Sequence, residues 1–249
     1  MAVLQRGIGP AFNAAALLLR PPLRLLTTRS WQGAQHLPRD RGFVVVSNHV
    51  SWSDPVTLAD FLLTHGVRPR FLAKQSLFEV PVVGAVLRAT RQVPVLRGTS
   101  DVTTALSAAQ EAVLAGECVV VYPDGTLTKD PQQWPMAGKT GAARIALATG
   151  CPVVPLAQWG PHQLLPRVGR PQLWPRPRLR VLVGEPVDLS AFAGRPLTSE
   201  VLREATEVVV GAVTALLEQL RGESAPPRWD PRTGARRPAG SDAGPLDAA

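Results

Sequence analysis

The chain has 249 residues, of which 45% are hydrophobic, and its 27 basic residues against 19 acidic ones give a net charge of +8. The length suits one domain with short extras, the hydrophobic content is enough for a sizeable core, and the lack of an internal repeat excludes a repeat protein. Cys118 and Cys151 form no C-x-x-C or zinc pattern, so we predict buried free thiols in a reducing cytoplasm. The basic residues are mostly arginines spread along the chain without a nucleic-acid motif, and phosphate-bearing substrates and an anionic lipid surface account for the same charge.

Residues 1–30 contain an apolar run that ends at Arg20 and two prolines. The run has about half of the ~20 residues that a membrane-spanning helix needs. We therefore predict a helical segment at the membrane interface, with Arg6, Arg20, Arg24 and Arg29 at the lipid headgroups. A helix packed against the domain is the alternative.

Residues 31–221 alternate between apolar β-branched runs and helical patterns. The sequence predicts strands at 43–46, 68–74, 92–97, 117–122, 152–156 and 179–183. It predicts helices at 56–63, 139–149 and 198–221, and another that is capped by Thr99 or Ser100 and ends at Ala115. Residues 75–87 fit a short helix or a loop. This alternation predicts an α/β domain with a mostly parallel or mixed central sheet flanked by helices. Residues 222–249 have almost no large apolar residue and are expected to be disordered.

His49 and Asp54 stand five positions apart on the loop that follows the first predicted strand. Asp54 and Pro55 also have the composition of a helix start, with Asp as the N-cap. A neutral imidazole can take a proton from a hydroxyl, and a carboxylate on its other nitrogen orients it and stabilises the imidazolium. A structural cap and an ordinary loop histidine remain the alternative at this point.

The pattern Asn-His-x-x-x-x-Asp-Pro after an apolar strand resembles the signature of the glycerolipid acyltransferases, the 1-acylglycerol-3-phosphate O-acyltransferase family. A second block of that family is a strand that ends in a phosphate-binding arginine, which resembles Val93 to Arg97. Lys74 is similar to the lysine that precedes this block in many members.

A third family block usually reads Phe-Pro-Glu-Gly-Thr-Arg-Ser, and residues 122–128 resemble it as Tyr-Pro-Asp-Gly-Thr-Leu-Thr. Asp124 replaces the glutamate and Leu127 replaces the arginine, so a cation is missing there. Lys129 or Lys139 is expected to compensate. Residues 152–156 resemble the fourth block, which forms a wall of the pocket.

The resemblance implies transfer of an acyl chain from acyl-CoA or acyl carrier protein to the sn-2 hydroxyl of 1-acyl-glycerol-3-phosphate, a lysophosphatidic acid. His49 would be the general base and Asp54 would orient it, without a covalent acyl-enzyme, a metal or a cofactor. The acceptor phosphate would be bound by basic side chains, and a neighbouring turn would shape that site; these residues are Lys74, Arg97, Lys139, Asp124, Gly125 and Thr126.

The expected partners are the lysolipid, the acyl donor and a membrane surface, to which the protein would bind peripherally or monotopically, with no nucleic acid. The expected location is the cytoplasmic face of the cell membrane. A different lysolipid acceptor is one alternative, since Leu127 departs from the family pattern. A non-catalytic basic protein that binds membranes or nucleic acid is the other.

Overall fold

The structure of the protein is a computed structural model, which describes residues 9–95, 101–230 and 233–236. Strands and helices alternate through most of it. The helices are α1 (Pro10–Leu26), α2 (Asp54–Thr64), α3 (Pro81–Ala89), α4 (Asp101–Leu114), α5 (Gly141–Thr149), α6 (Pro161–Leu164) and α7 (Ser199–Arg221). The strands are β1 (Thr28–Gln32), β2 (Phe43–Ser47), β3 (Pro69–Lys74), β4 (Val93–Val95), β5 (Cys118–Val121), β6 (Val153–Trp159), β7 (Arg178–Val183), β8 (Trp229–Asp230) and β9 (Ala235–Arg236).

The central sheet has seven strands in the order β1-β7-β6-β2-β5-β3-β4. β6, β2, β5, β3 and β4 are parallel to one another, whereas β7 pairs with β6 in the antiparallel sense and carries β1 parallel to itself. This confirms the predicted α/β class with a mostly parallel sheet. The carboxyl ends of the five parallel strands meet at one edge, which we call the carboxyl edge.

The central strand β2 is buried on both of its faces, which explains its uninterrupted apolar sequence. Val45 faces a core that includes Leu58 and Phe61 of α2. Val44 faces the opposite core, which is formed with residues of α4, α5 and α7. Helices thus cover both faces and leave the loops at the carboxyl edge as the place for a site.

The predicted boundaries agree with most elements to within a few residues, and two differences matter for the site. β1 was not predicted, because this edge strand is only partly buried and has a polar sequence; it crosses the boundary placed at residue 30. β6 runs to Trp159 rather than stopping at Leu156, since Ala157, Gln158 and Trp159 pair with β7. The predicted end of the 92–97 strand lies outside the described residues.

Helix α1 is fastened to the domain through a buried carboxylate on α2. Arg20 Nε donates to Asp60 Oδ1 at 2.8 Å, and a nitrogen of Arg29 lies 2.6 Å from Asp60 Oδ2. Arg20 is only 6% exposed, so the expectation that it lies at lipid headgroups is wrong: pairing with Asp60 compensates its burial. The opposite side of α1 exposes Leu18 and Leu25.

None of the described helices combines the length and apolar character needed to cross a membrane. Part of the segment predicted to be disordered is ordered in the structure, because β8 and β9 pair as a short hairpin. The guanidinium of Arg236 binds both carboxylate oxygens of the buried Asp130, at 2.8 and 3.1 Å. This ion pair fastens the hairpin to the loop that follows β5. The rest of the predicted tail, from residue 237, lies outside the described part.

Candidate active site at the carboxyl edge

The loop between β2 and α2 is held in place by a reciprocal pair of hydrogen bonds to β6. The side-chain amide of Asn48 donates to the Gln158 carbonyl at 2.9 Å, and its oxygen accepts from the Gln158 backbone N–H at 2.8 Å. Both residues are fully buried. A buried backbone group needs such a partner, so Asn48 fixes the path of the chain just before His49.

His49 and Asp54 meet on this loop. His49 Nδ1 lies 2.9 Å from Asp54 Oδ2, which also accepts the backbone N–H groups of Val50 at 2.6 Å and Ser51 at 2.8 Å. Burial raises the pKa of Asp54, and these three hydrogen bonds oppose that rise. With a carboxylate as its partner, Nδ1 carries the proton, and Nε2 is left as the basic nitrogen.

Asp54 is the first residue of α2, and Ser53 occupies the N-cap position. The expectation that Asp54 is the N-cap is therefore off by one residue. Its side chain turns back toward His49 and the two amides before the helix, while the positive end of the helix dipole supports its charge. The residue thus orients the imidazole and closes the loop at once.

One face of the imidazole is covered by an aromatic ring that directly follows the neighbouring strand β5. The Tyr122 ring stacks on His49 with centroids 4.1 Å apart and an interplanar angle of 18°. Burial raises the pKa of the Tyr122 phenol well above its ordinary value, and the charge of Asp54 adds to the rise, so this group stays protonated. One face of His49 is covered, which leaves its edge as the route for a substrate.

The turn predicted to shape the acceptor site follows Tyr122 and lies beside His49. The backbone N–H of Thr128 donates to the His49 carbonyl at 2.8 Å. Asp124 is buried, and its Oδ1 accepts the Met136 N–H at 3.0 Å. Thr126 is half-buried. The structure therefore joins the first and third sequence blocks directly.

Lys139 lies against this turn through Gly125. Gly125 has a φ of +64°, a backbone conformation that favours glycine. A β-carbon there would also stand 3.1 Å from Cδ and Cε of Lys139, which is a tight contact. Lys139 is exposed, and its backbone N–H donates to the Pro123 carbonyl at 2.8 Å. The compensating cation proposed for this turn thus borders it.

The remaining predicted cations are less closely placed. Lys74 is exposed at the end of β3, on the same edge but two strands away from β2. Arg97 lies outside the described residues. Leu127 is 4% exposed, so an arginine at this position would have its charge buried.

Sequence reasoning missed the structural roles of Asn48, Gln158 and Tyr122. Gln158 interrupts an apolar strand, and a buried polar residue there is a signal that could have found it. Among the described residues no group of three or more His, Cys, Asp or Glu side chains is arranged to hold a metal ion. The arrangement offers an imidazole oriented by a carboxylate, with Lys139 beside the neighbouring turn, and such a pair can take a proton from a substrate hydroxyl.

Comparison with known proteins agrees with this geometry. Residues 29–159 match the model of the Acyltransferase family. A 1-acyl-sn-glycerol-3-phosphate acyltransferase of Bacillus subtilis (strain 168) is 31% identical over 189 residues, which are 75% of this chain and 86% of that protein. A chloroplastic 1-acyl-sn-glycerol-3-phosphate acyltransferase from Brassica napus is 34% identical over 158 residues, which are 63% of this chain and 44% of that protein.

The fold has a counterpart among solved structures. The crystal structure of the 1-acyl-sn-glycerophosphate (LPA) acyltransferase PlsC from Thermotoga maritima superposes with a TM-score of 0.64 and 26% identity, covering 86% of this chain and 81% of that one. The matched family region contains β2, the His49–Asp54 pair, the Asp124 turn and β6. The chain belongs to the Acyltransferase family.

Proposed function

We propose that the protein transfers an acyl chain from a thioester donor to the free sn-2 hydroxyl of 1-acyl-glycerol-3-phosphate, which yields phosphatidic acid. The observation that carries the proposal is the contact between His49 and Asp54 at the carboxyl edge. The Bacillus subtilis relative, of which the alignment covers 86%, and PlsC support the choice of acceptor by their names.

His49 acts as the general base in this reaction. Its Nε2 takes the proton of the sn-2 hydroxyl while the oxygen attacks the thioester carbonyl. The tetrahedral intermediate collapses, the C–S bond breaks, and the leaving thiolate takes the proton back from the imidazolium. Asp54 stabilises that imidazolium through Nδ1. The substrate supplies the nucleophile, so no covalent acyl-enzyme, metal or cofactor takes part.

Lys74, Arg97 and Lys139 bind phosphate groups in this proposal, and the turn at 124–126 shapes the pocket. Lys139 is supported by its position beside Gly125, and a guanidinium at Arg97 suits a phosphate dianion. Lys139→Ala and Arg97→Ala should each raise the KM for the acceptor and leave the donor KM unchanged. If only the donor KM rises, these cations serve the phosphates of the donor instead.

The deciding experiment is an acyl-transfer assay with the purified full chain. Acyl-CoA and acyl carrier protein thioesters are offered with lysophosphatidic acid, lysophosphatidylcholine and monoacylglycerol. We expect phosphatidic acid as the main product and loss of activity in His49→Ala. Preferential acylation of an acceptor without the terminal phosphate would replace the proposed acceptor by another lysolipid. Absence of transfer to every acceptor by folded protein would refute an acyltransferase role.

We further propose that the protein works at the cytoplasmic face of the cell membrane, as a peripheral or monotopic protein without a nucleic-acid partner. The acyl donors named above are cytoplasmic, and both acceptor and product are lipids. The exposed leucines of α1 support contact with lipid, since they lie opposite the side that packs on the domain.

A further inference from the structure

The connection between β6 and β7, residues 160–177, lies directly against the loop that bears His49. Ser51 Oγ lies 2.6 Å from the Leu165 carbonyl and 2.9 Å from the Pro161 carbonyl, and Ser53 Oγ donates to the Pro161 carbonyl at 3.0 Å. All three contacts join the two loops across more than one hundred residues of sequence. The connection is therefore part of the rim around the catalytic pair.

This rim exposes large apolar side chains. We use the name apolar rim for five of them, whose exposed fractions are 89% for Trp174, 81% for Val168, 65% for Trp52, 47% for Leu165 and 41% for Leu173. Single exposed apolar residues are ordinary, but these five lie on two loops that Ser51 and Ser53 join, and a group of exposed apolar side chains marks an interaction surface. The catalytic mechanism does not use these side chains.

The charge of the same segment has one sign. Residues 160–177 contain three arginines and no acidic residue; the arginines are Arg167, Arg170 and Arg176. Arg167 donates to the Thr128 carbonyl at 2.7 Å and so supports the site itself. Arg170 and Arg176 are exposed and stand on either side of Leu173 and Trp174 in the sequence.

We propose that the apolar rim inserts into the interface of an anionic lipid bilayer, and that Arg170 and Arg176 bind its phosphate groups. Tryptophan prefers the headgroup level of membranes, where its apolar body and its N–H are both satisfied. Arginine side chains can lie along the apolar region and place the guanidinium at the phosphates. Because tryptophan and arginine both suit the headgroup level, and because the proposed acceptor and product are lipids, the combination favours an anionic bilayer.

The inference rests on the proposed transfer to a lysolipid, and it adds a second contact that is separate from α1. Because Ser51 and Ser53 hold the rim against the His49 loop, insertion would bring the base to the level of the lipid headgroups. The hydroxyl of a lysophosphatidic acid lies at that level, next to its phosphate.

Binding is tested by sedimentation of the full-length protein with vesicles of phosphatidylcholine and phosphatidylglycerol. We expect Trp174→Ser to weaken binding by about tenfold. Arg170→Glu/Arg176→Glu should weaken it at least as much, because each arginine near an anionic surface is worth about fivefold. Only the effect of the arginine pair should fade in high salt.

Matched controls lie at the opposite edge of the sheet. Leu114, 71% exposed at the end of α4, provides Leu114→Ser, and the exposed residues before β2 and β3 provide Arg41→Glu/Arg68→Glu. Both controls should bind vesicles like the unaltered protein. Equal weakening by controls and rim variants would show a non-specific effect of charge or hydrophobicity and overturn the proposal.

Activity separates this inference from the proposed reaction. With a short-chain, water-soluble lysophosphatidic acid, the rim variants should turn over within about twofold of the unaltered protein. With the acceptor embedded in vesicles, their rate should fall about tenfold.

Unchanged vesicle binding and vesicle activity of the rim variants would refute insertion of the apolar rim while leaving the chemistry in place. If instead only the KM for an acyl carrier protein donor rises, the rim binds an acidic protein and the lipid proposal is wrong. Inactivity of the unaltered protein on both acceptors would refute the reaction itself.

Discussion

At the scale of single residues, one oxygen atom of Asp54 holds the site together. Asp54 Oδ2 faces the imidazole of His49 and two backbone N–H groups. The same atom therefore sets the tautomer of the base and the shape of the loop. In the proposed reaction, chemistry and local stability are therefore coupled in Asp54, and the main contribution of His49 is to chemistry.

His49→Ala should lower kcat by about 10² to 10⁴ without a large change in stability. Asp54→Asn should cost less in rate, yet lower the free energy of unfolding by about 1–3 kcal/mol, because the neutral amide oxygen accepts the loop's hydrogen bonds more weakly than a carboxylate oxygen does. Steady-state kinetics and urea denaturation measure the two effects. His36→Ala, on the turn before β2, is the control and should alter neither. Near-normal turnover by folded His49→Ala would remove His49 from the mechanism.

Asp124 gives the protein a pH-dependent stability. Burial raises its pKa to about 7, so the folded state holds a proton that the unfolded chain releases near pH 4. Its stabilising contribution is complete below pH 4 and falls as the pH rises toward 7. The free energy of unfolding of the unaltered protein should therefore decrease between pH 5 and 8. In Asp124→Asn, which cannot titrate at this position, that decrease should be smaller by a few kcal/mol. Urea denaturation at several pH values measures this, and a parallel pH dependence in both proteins would contradict it. The exposed Asp40 provides the control Asp40→Asn.

Leu127 occupies the position of an arginine in the family pattern, but its side chain is packed in the interior. Leu127→Arg should lower the free energy of unfolding by about 3 kcal/mol, since a buried charge without a partner is costly. Leu127→Met conserves volume and should cost less than about 1.5 kcal/mol. Thermal denaturation compares the two. A stable Leu127→Arg with a lower acceptor KM would show that this loop opens to the site.

At the scale of elements, β2 and β6 are joined beyond their strand pairing by Asn48 and Gln158. Asn48→Ala should leave the buried Gln158 N–H without its acceptor and cost about 1–3 kcal/mol of stability. It should also lower kcat, because the chain just before His49 loses its support. Asn48→Asp keeps the acceptor but sets a second oxygen against the Gln158 carbonyl, so it should not recover the stability. Equal stability of Asn48→Ala and the unaltered protein would show that the pair is dispensable.

The sequence allowed the parallel strands, the carboxyl-edge loop and the pairing partner of His49 to be predicted, since each follows from local pattern. Long-range contacts were not accessible in that way. Neither the stacking of Tyr122 on His49 nor the burial of Leu127 leaves a periodic signal in the chain. Arg20 was misplaced for the same reason: its partner Asp60 is forty residues away.

At the scale of the whole molecule, α1 packs one side on the domain and exposes apolar residues on the other. Deleting it would remove the ion pair with Asp60 and damage the domain, so truncation is a poor test of membrane binding. Leu18→Ser/Leu25→Ser instead changes only exposed side chains, of 61% and 65% exposure. We expect weaker sedimentation with anionic vesicles and an unchanged melting temperature. Resistance of the unaltered protein to both salt and carbonate extraction would indicate true insertion and contradict an interfacial role.

The hydrogen bonds of Ser51 and Ser53 that join the His49 loop to the 160–177 connection have a kinetic consequence. If the rim inserts into the bilayer as proposed, the base beside it meets its acceptor by lateral diffusion within a plane, not by collision in three dimensions. The effective concentration of acceptor is then its mole fraction among the surrounding lipids, and the product leaves by gliding away. Such an enzyme senses the composition of its own leaflet, and dilution with inert lipid slows it even when the total amount of acceptor is constant.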